Sequence, residues 1–269
     1  MYRVSVKVMP KPEVLDAQGR TLIDSLGDPS VKNCSIGKHI EFMLAESSKE
    51  KALEKAKAAN SCEVLGPQTP RDISSKVGTN PITFKTAPSY TKMNLCNIHF
   101  HKNAEHKGPE FSTFKGEAKD GGYACNKSDS LTPEQLKPVT GACKGIQPGD
   151  TVEVHWVHSS CDITPGPTLG ACLADTCTDP VLRVETQVFL LVNDSKAKDF
   201  SKYRYQEKIN GFHQAKFLSS RNGAVQFLGS TTGPKYNNKT CSPYKVNWSV
   251  SPNCNTSVSY THLTLPTKA

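Results

Sequence analysis

No stretch of the sequence approaches the roughly 18 uninterrupted apolar residues of a bilayer-spanning helix, so no membrane span is expected. There is no Cys-x-x-Cys pair, which argues against a zinc ribbon or a thioredoxin-type centre. Aromatic residues make up only 7%, and no patch of arginine interleaved with aromatics exists. Lys and Arg, 33 against 25 Asp and Glu, are scattered along the chain, so nucleic acid is not an expected partner. The net charge of +8 reads as a solubilising surface that also steers anions. The start, from Met1 to Pro10, lacks the roughly 7–15-residue apolar core of a secretory leader.

What is present excludes wholesale disorder. Val181–Val192 is too dense in β-branched and apolar residues for a chain that never folds. The ten cysteines are even in number and widely spaced, the pattern of disulfides formed in an oxidising compartment. Six Asn-x-Ser/Thr sequons, at Asn33, Asn126, Asn193, Asn238, Asn247 and Asn255, fit a glycoprotein on a secretory route. The expected location is secreted, extracellular or periplasmic, with no signal peptide seen in this chain.

The 269 residues fit a single large domain. Residues 1–33 read as an irregular lead-in, 34–258 as one catalytic domain, and 259–269 as a tail or appended sequence. His39–Asn60, rich in Ala, Lys and Glu, is the helix candidate. Residues 61–92 read as loop with a short strand at Ile82–Lys85. Asn94–His101, Thr151–Ser159, Val181–Asn193, Ala224–Leu228 and Tyr244–Val250 have the composition and flanks of strands. The expected fold is mainly β (α+β), with a central, largely antiparallel sheet, long disulfide-tied loops and one N-terminal helix.

Chemistry concentrates in two of those strands. Side chains two apart on a strand share a face, so His99 and His101 stand side by side at chelating distance while Phe100 points into a core. By itself the pair is equally what two half-exposed sheet residues would give. In the second strand Glu153, His155 and Val157 share one face, and Trp156 and His158 the other. A third imidazole completes a three-nitrogen site that leaves zinc one position for water. Glu153 is placed to accept the other ring N–H of His155 and fix its tautomer. Neutral ligands leave a zinc ion its full charge, which favours hydration or hydrolysis; iron or manganese in the same ligands would permit oxidation.

The strings His99-Phe-His101-Lys-Asn-Ala-Glu105-His106-Lys and Glu153-Val-His155-Trp-Val-His158-Ser-Ser-Cys161 resemble the delta-class carbonic anhydrases. The resemblance implies zinc on His99, His101 and His155, with cobalt or cadmium able to substitute, and carbon dioxide and bicarbonate as the small-molecule substrates. Gly229-Ser-Thr-Thr232 and Cys241-Ser…Val246-Asn-Trp248 are similar to a stretch of the alpha-class enzymes. That likeness implies a catalytic Thr232 handing its hydroxyl proton to Glu105, with Val157, Val246 and Trp248 walling the carbon dioxide pocket. The activity implied is reversible hydration of carbon dioxide to bicarbonate and a proton by metal-bound hydroxide. His106 and His158 are the available proton shuttles, and Cys34 or Cys62 is the implied partner of Cys241.

Two other readings stand beside this one. A cupin-type iron or manganese enzyme also offers His-x-His-x₃-Glu and a later His, but position 112 is Ser where such an enzyme would carry Gly. A secreted, non-catalytic binding domain would carry the histidines merely as sheet residues and bind no stoichiometric metal. Cys96, at an odd offset from His99, is not expected among the ligands.

Overall fold

The computed structural model describes residues 2–6, 31–36, 40–44, 62–117, 120–138, 145–174, 176–177, 180–215, 223–231, 239–242 and 244–259. The first three strands, β1 (Tyr2–Val6), β2 (Val31–Ile36) and β3 (Ile40–Leu44), pair antiparallel in the order β1-β3-β2. The domain boundary expected at residue 34 therefore falls inside β2, and β1 lies within the stretch read as an irregular lead-in. Of the helix expected over His39–Asn60, Ile40–Leu44 is strand, in keeping with its own alternation of Ile, Phe and Leu. Residues 45–60 lie outside the described residues, as do 260–269 of the expected tail.

Two four-residue helices are described, α1 (Cys62–Leu65) and α2 (Pro133–Leu136). In α2 the Thr132 hydroxyl accepts from the Gln135 N–H while the Gln135 side chain accepts from the Thr132 N–H, and Pro133 occupies the first turn.

Nine further strands follow: β4 (Asn94–Lys102), β5 (Thr113–Phe114), β6 (Tyr123–Ala124), β7 (Thr151–Ser159), β8 (Val181–Val192), β9 (Tyr205–Ile209), β10 (Phe212–Ala215), β11 (Val225–Gly229) and β12 (Lys245–Ser259). Five of them form the central sheet in the order β11-β12-β8-β7-β4, antiparallel except where β12 runs parallel to β8. The fold is thus mainly β around a largely antiparallel sheet, as expected. Ile82–Lys85 is not a strand. The expected end of the last strand at Val250 is passed: β12 continues to Ser259, its register shifting between Val250 and Cys254 around Pro252, which has no N–H to give a ladder. The β9–β10 hairpin turns at Asn210 (φ 51°) and Gly211 (φ 86°), a pair of positive φ values that suits the right-handed twist of the strands it joins.

Both faces of the central sheet are buried, which is why β7 is buried at every position despite its alternating chemistry. One face carries Ile98, Val154, Trp156, Phe189 and Leu191, covered by Phe200 and Tyr203. The other carries Val157, Val184, Val188, Phe227, Val246 and Trp248. His99, His101 and His155 stand on this second face.

Among the described residues eight cysteines form four disulfides, Cys62–Cys241, Cys96–Cys172, Cys125–Cys254 and Cys161–Cys177. Cys241 takes Cys62, one of its two implied partners. Cys96, consumed by Cys172, is the extra residue where the β4–β7 register shifts. The sequon residue Asn247 is buried within β12, its side-chain oxygen accepting from Ala87 N–H, so it is no surface acceptor for a glycan.

Candidate metal centre

The antiparallel register of β4 against β7 sets His99 directly opposite His155 and His101 opposite Glu153. The three imidazoles converge, with ring centroids 5.0–5.2 Å apart, and one nitrogen of each lies within 4.8 Å of the others. His99 Nε2 is 3.3 Å from His155 Nδ1. Two ligands on zinc arms of ~2.0–2.1 Å in a tetrahedron stand roughly 3.3 Å apart, so this spacing fits one ion.

The outer nitrogens decide what the inner ones are. His99 Nδ1 lies 2.7 Å from Asn97 Oδ1, and Asn97 is oriented by its Nδ2 donating to the Gly166 carbonyl. His99 Nδ1 therefore carries the proton, leaving a lone pair on Nε2. His155 Nε2 faces the Glu153 carboxylate at 3.3 Å, an oblique contact that puts its proton outward and a lone pair on Nδ1. Two lone pairs opposed across 3.3 Å repel unless a cation or a proton lies between them. This donor set fits a divalent metal on chemical grounds.

For His99 and His101 electrostatics favour the same state. Burial first, and then the neighbouring imidazoles, hold His99 well below the ordinary histidine value of 6.5 and His101 below it, so both rings are neutral as ligands must be. Burial also pushes His155 down, but its hydrogen bond to Glu153 and that group's charge outweigh burial and raise it, making this ring the more basic donor.

Glu153 is the hub beneath the three imidazoles. Fully buried, it accepts from Glu105 N–H at 2.8 Å through Oε2 and from His106 Nδ1 at 2.8 Å through Oε1. Burial raises its pKa, yet the charge and hydrogen bond of His106 and the contact with His155 leave it well below the ordinary 4.5. Glu105 brings Oε1 to 3.7 Å from His101 Nε2, and Arg71 Nη1 lies 3.9 Å from its Oε2. For Glu105, burial raises the pKa and the imidazoles of His101 and His155 more than reverse this.

Val157, Val246 and Trp248 are all buried on this face, the Trp248 ring 5.3 Å from that of His155 and its Nε1–H donating to the Ser230 carbonyl. Thr232 lies outside the described residues; Thr231 beside it is buried and bonded to the Ser242 hydroxyl. The two histidines expected to move protons present no ring nitrogen to solvent. His106 is wedged between Glu153 and the rings of Phe227 and Trp248, and His158 stands on the opposite face of the sheet against Tyr90.

A family model described as delta carbonic anhydrase matches residues 90–260, which take in the whole central sheet and both strands that carry the three imidazoles. The chain belongs to the delta carbonic anhydrase family. A second model, for the PurS type of phosphoribosylformylglycinamidine (FGAM) synthase, matches residues 3–65 and so covers β1 to β3. No curated protein and no solved structure matches the chain.

Sequence reasoning passed over Asn97 and Arg71. For Asn97 the signal was there: it precedes His99 by two, as Glu153 precedes His155, and an oxygen two residues before a strand ligand shares its face. Arg71 gave no such signal, since only the tertiary fold brings its segment to Glu105.

Proposed function

We propose that this member of the family is a zinc enzyme that interconverts carbon dioxide and bicarbonate, with His99, His101 and His155 as the ligands. The observation that carries this is the opposition of His99 Nε2 and His155 Nδ1 at 3.3 Å, with His99 Nδ1 bonded to the Asn97 oxygen and His155 Nε2 turned to the Glu153 carboxylate. A divalent cation held there supplies, when bound, a water that ionises near pH 7.

The chain's own residues do the rest. Asn97 and Glu153 orient the rings and keep the inner lone pairs turned inward. Val157, Val246 and Trp248 form a dry wall suited to an apolar, linear substrate. Thr232 donates its hydroxyl proton to Glu105, whose low pKa keeps it an acceptor, and so fixes the direction of the attacking lone pair. Protons leave to solvent past His101, whose side chain is 37% exposed, while His106 orients Glu153 and His158 serves the core. The metal's identity and the secreted location belong to the same proposal, the latter supported by four disulfides.

Glu105 beside His101 gives the cupin reading its three-histidine, one-carboxylate donor set. Among the described residues, however, the central sheet ends at β11 and β4 without closing into a barrel. Metal analysis with stopped-flow carbon dioxide hydration tests the proposal. About one zinc per chain and hydration lost in His155→Ala are expected; if that variant keeps both metal and activity, the assignment is wrong.

A further inference from the structure

The segment after α1 crosses the ligand-bearing face of the sheet. A Cβ on Gly229, at the end of β11, would lie 2.6 Å from the Pro67 carbonyl oxygen, so the segment rests directly on that edge. At the other side it is pinned to the chain just after β4: Lys107 N–H donates to the Arg71 carbonyl, Ile73 N–H donates to the Lys107 carbonyl, and Lys107 Nζ meets Asp72 Oδ2 at 2.8 Å. Arg71 is thus held at a fixed height above the site. The backbone of Glu105 is equally fixed, by its N–H on Glu153. Its carboxylate brings Oε1 to 3.7 Å from His101 Nε2 and Oε2 to 3.9 Å from Arg71 Nη1.

A carboxylate is itself a good ligand for a divalent cation, and its spacing of 3.7 Å from His101 Nε2 is close to the roughly 3.3 Å edge of a tetrahedral zinc site. Glu105 and Glu153 each bring a carboxylate oxygen within 4.8 Å of a ring nitrogen of His155. Left to itself, Glu105 would compete with water for the fourth coordination position and close the site. We propose that Arg71 is a positioning residue that draws the Glu105 carboxylate off the metal and so keeps that position open to solvent. The inference rests on the three-histidine zinc reading above and adds the question of what keeps its fourth place free.

Cobalt in place of zinc reports the answer without relying on turnover, because its visible absorption follows the ionisation of a bound water. Cobalt-loaded wild-type protein should change its visible spectrum between about pH 6 and pH 9. In Arg71→Ala the spectrum should cease to respond to pH, cobalt should bind about tenfold more tightly, and hydration should fall about 10–100-fold. Arg71→Lys, which keeps the charge, should recover most of the response. The double variant Arg71→Ala/Glu105→Gln should regain the pH-responsive spectrum, because an amide is a poor ligand. Arg71→Gln serves if the alanine variant does not fold. Single variants whose spectra titrate as the wild type does, with hydration within about threefold, overturn this inference alone. Wild-type protein that takes up no cobalt overturns the zinc reading and this inference with it.

Discussion

Replacing Glu153 with Gln changes one oxygen to an NH₂ of nearly the same size and removes a charge at the point where three groups converge. Both oxygens accept: Oε1 from His106 Nδ1 and Oε2 from Glu105 N–H, each at 2.8 Å, with His155 Nε2 at 3.3 Å. An amide can replace only one of them, so an N–H of His106, or those of Glu105 and His155, must face another N–H. Turning His106 to its other tautomer relieves the first case but puts the proton on an Nε2 that has no partner. Losing one hydrogen bond to a buried charge, at ~1.5–3 kcal/mol, and reducing the other to a neutral one, at ~0.5–1.5 kcal/mol, put the expected loss of stability at about 2.5–4.5 kcal/mol. Loss of the group that sets the His155 tautomer should weaken zinc binding about 10–100-fold.

The pH dependence has a definite sign. Because the folded-state pKa of Glu153 lies well below 4.5, its contribution is present above that value and is lost as the pH falls through the folded one. Denaturant unfolding of metal-free protein should therefore show wild type and Glu153→Gln furthest apart near neutrality and converging in acid. Chelator competition gives the zinc affinity. A variant that holds zinc within about twofold of wild type and unfolds at the same denaturant concentration would refute the account of Glu153 as the hub of the site.

Asn97→Ala should weaken zinc binding by about tenfold through the freed tautomer of His99, while Asn97→Asp keeps the acceptor and most of the affinity, both read by chelator competition. Thr232→Ala should lower the hydration rate ~10²–10³-fold with zinc retained, as measured by stopped flow and metal analysis. The Asp72 carboxyl, held at about 2 chiefly by its hydrogen bond from Lys107, should titrate near that value by NMR. Its pinning of the Arg71 segment should persist above the ordinary 3.8 and fade as the pH falls through about 2, while Lys107→Ala should return the midpoint toward 3.8. Replacing Cys62 and Cys241 with Ser together opens a link between residues 179 apart, for which chain entropy predicts a loss of ~5 kcal/mol, read as a lower midpoint of denaturant unfolding.

The sequence by itself determined which side chains share a face. Period-two alternation is a property of any extended strand, so His99 with His101, and Glu153 with His155 and Val157, were legible before any pairing was known. The Asn210-Gly211 hairpin was equally legible and was passed over, because its flanking strands are short and polar. The β8–β12 parallel pairing was not legible, since partners distant in the chain leave no local trace. Nor was the disulfide pairing, which depends on which loops meet.

The tertiary structure decided what those faces do. The β4–β7 register is fixed by burial on both sides of the sheet, and a slip of one residue would turn His155 away from His99. Burial removed His106 and His158 from solvent, one beneath the three imidazoles and the other across the sheet, although both were available as proton shuttles on the resemblance. Arg71 reaches Glu105 only because its segment is pinned across the sheet, at Pro67 against Gly229 and by the bridge of Asp72 to Lys107. Local chemistry sets the menu of ligands; long-range packing chooses among them, because distances between strands and loops are set by contacts that no neighbouring residue encodes.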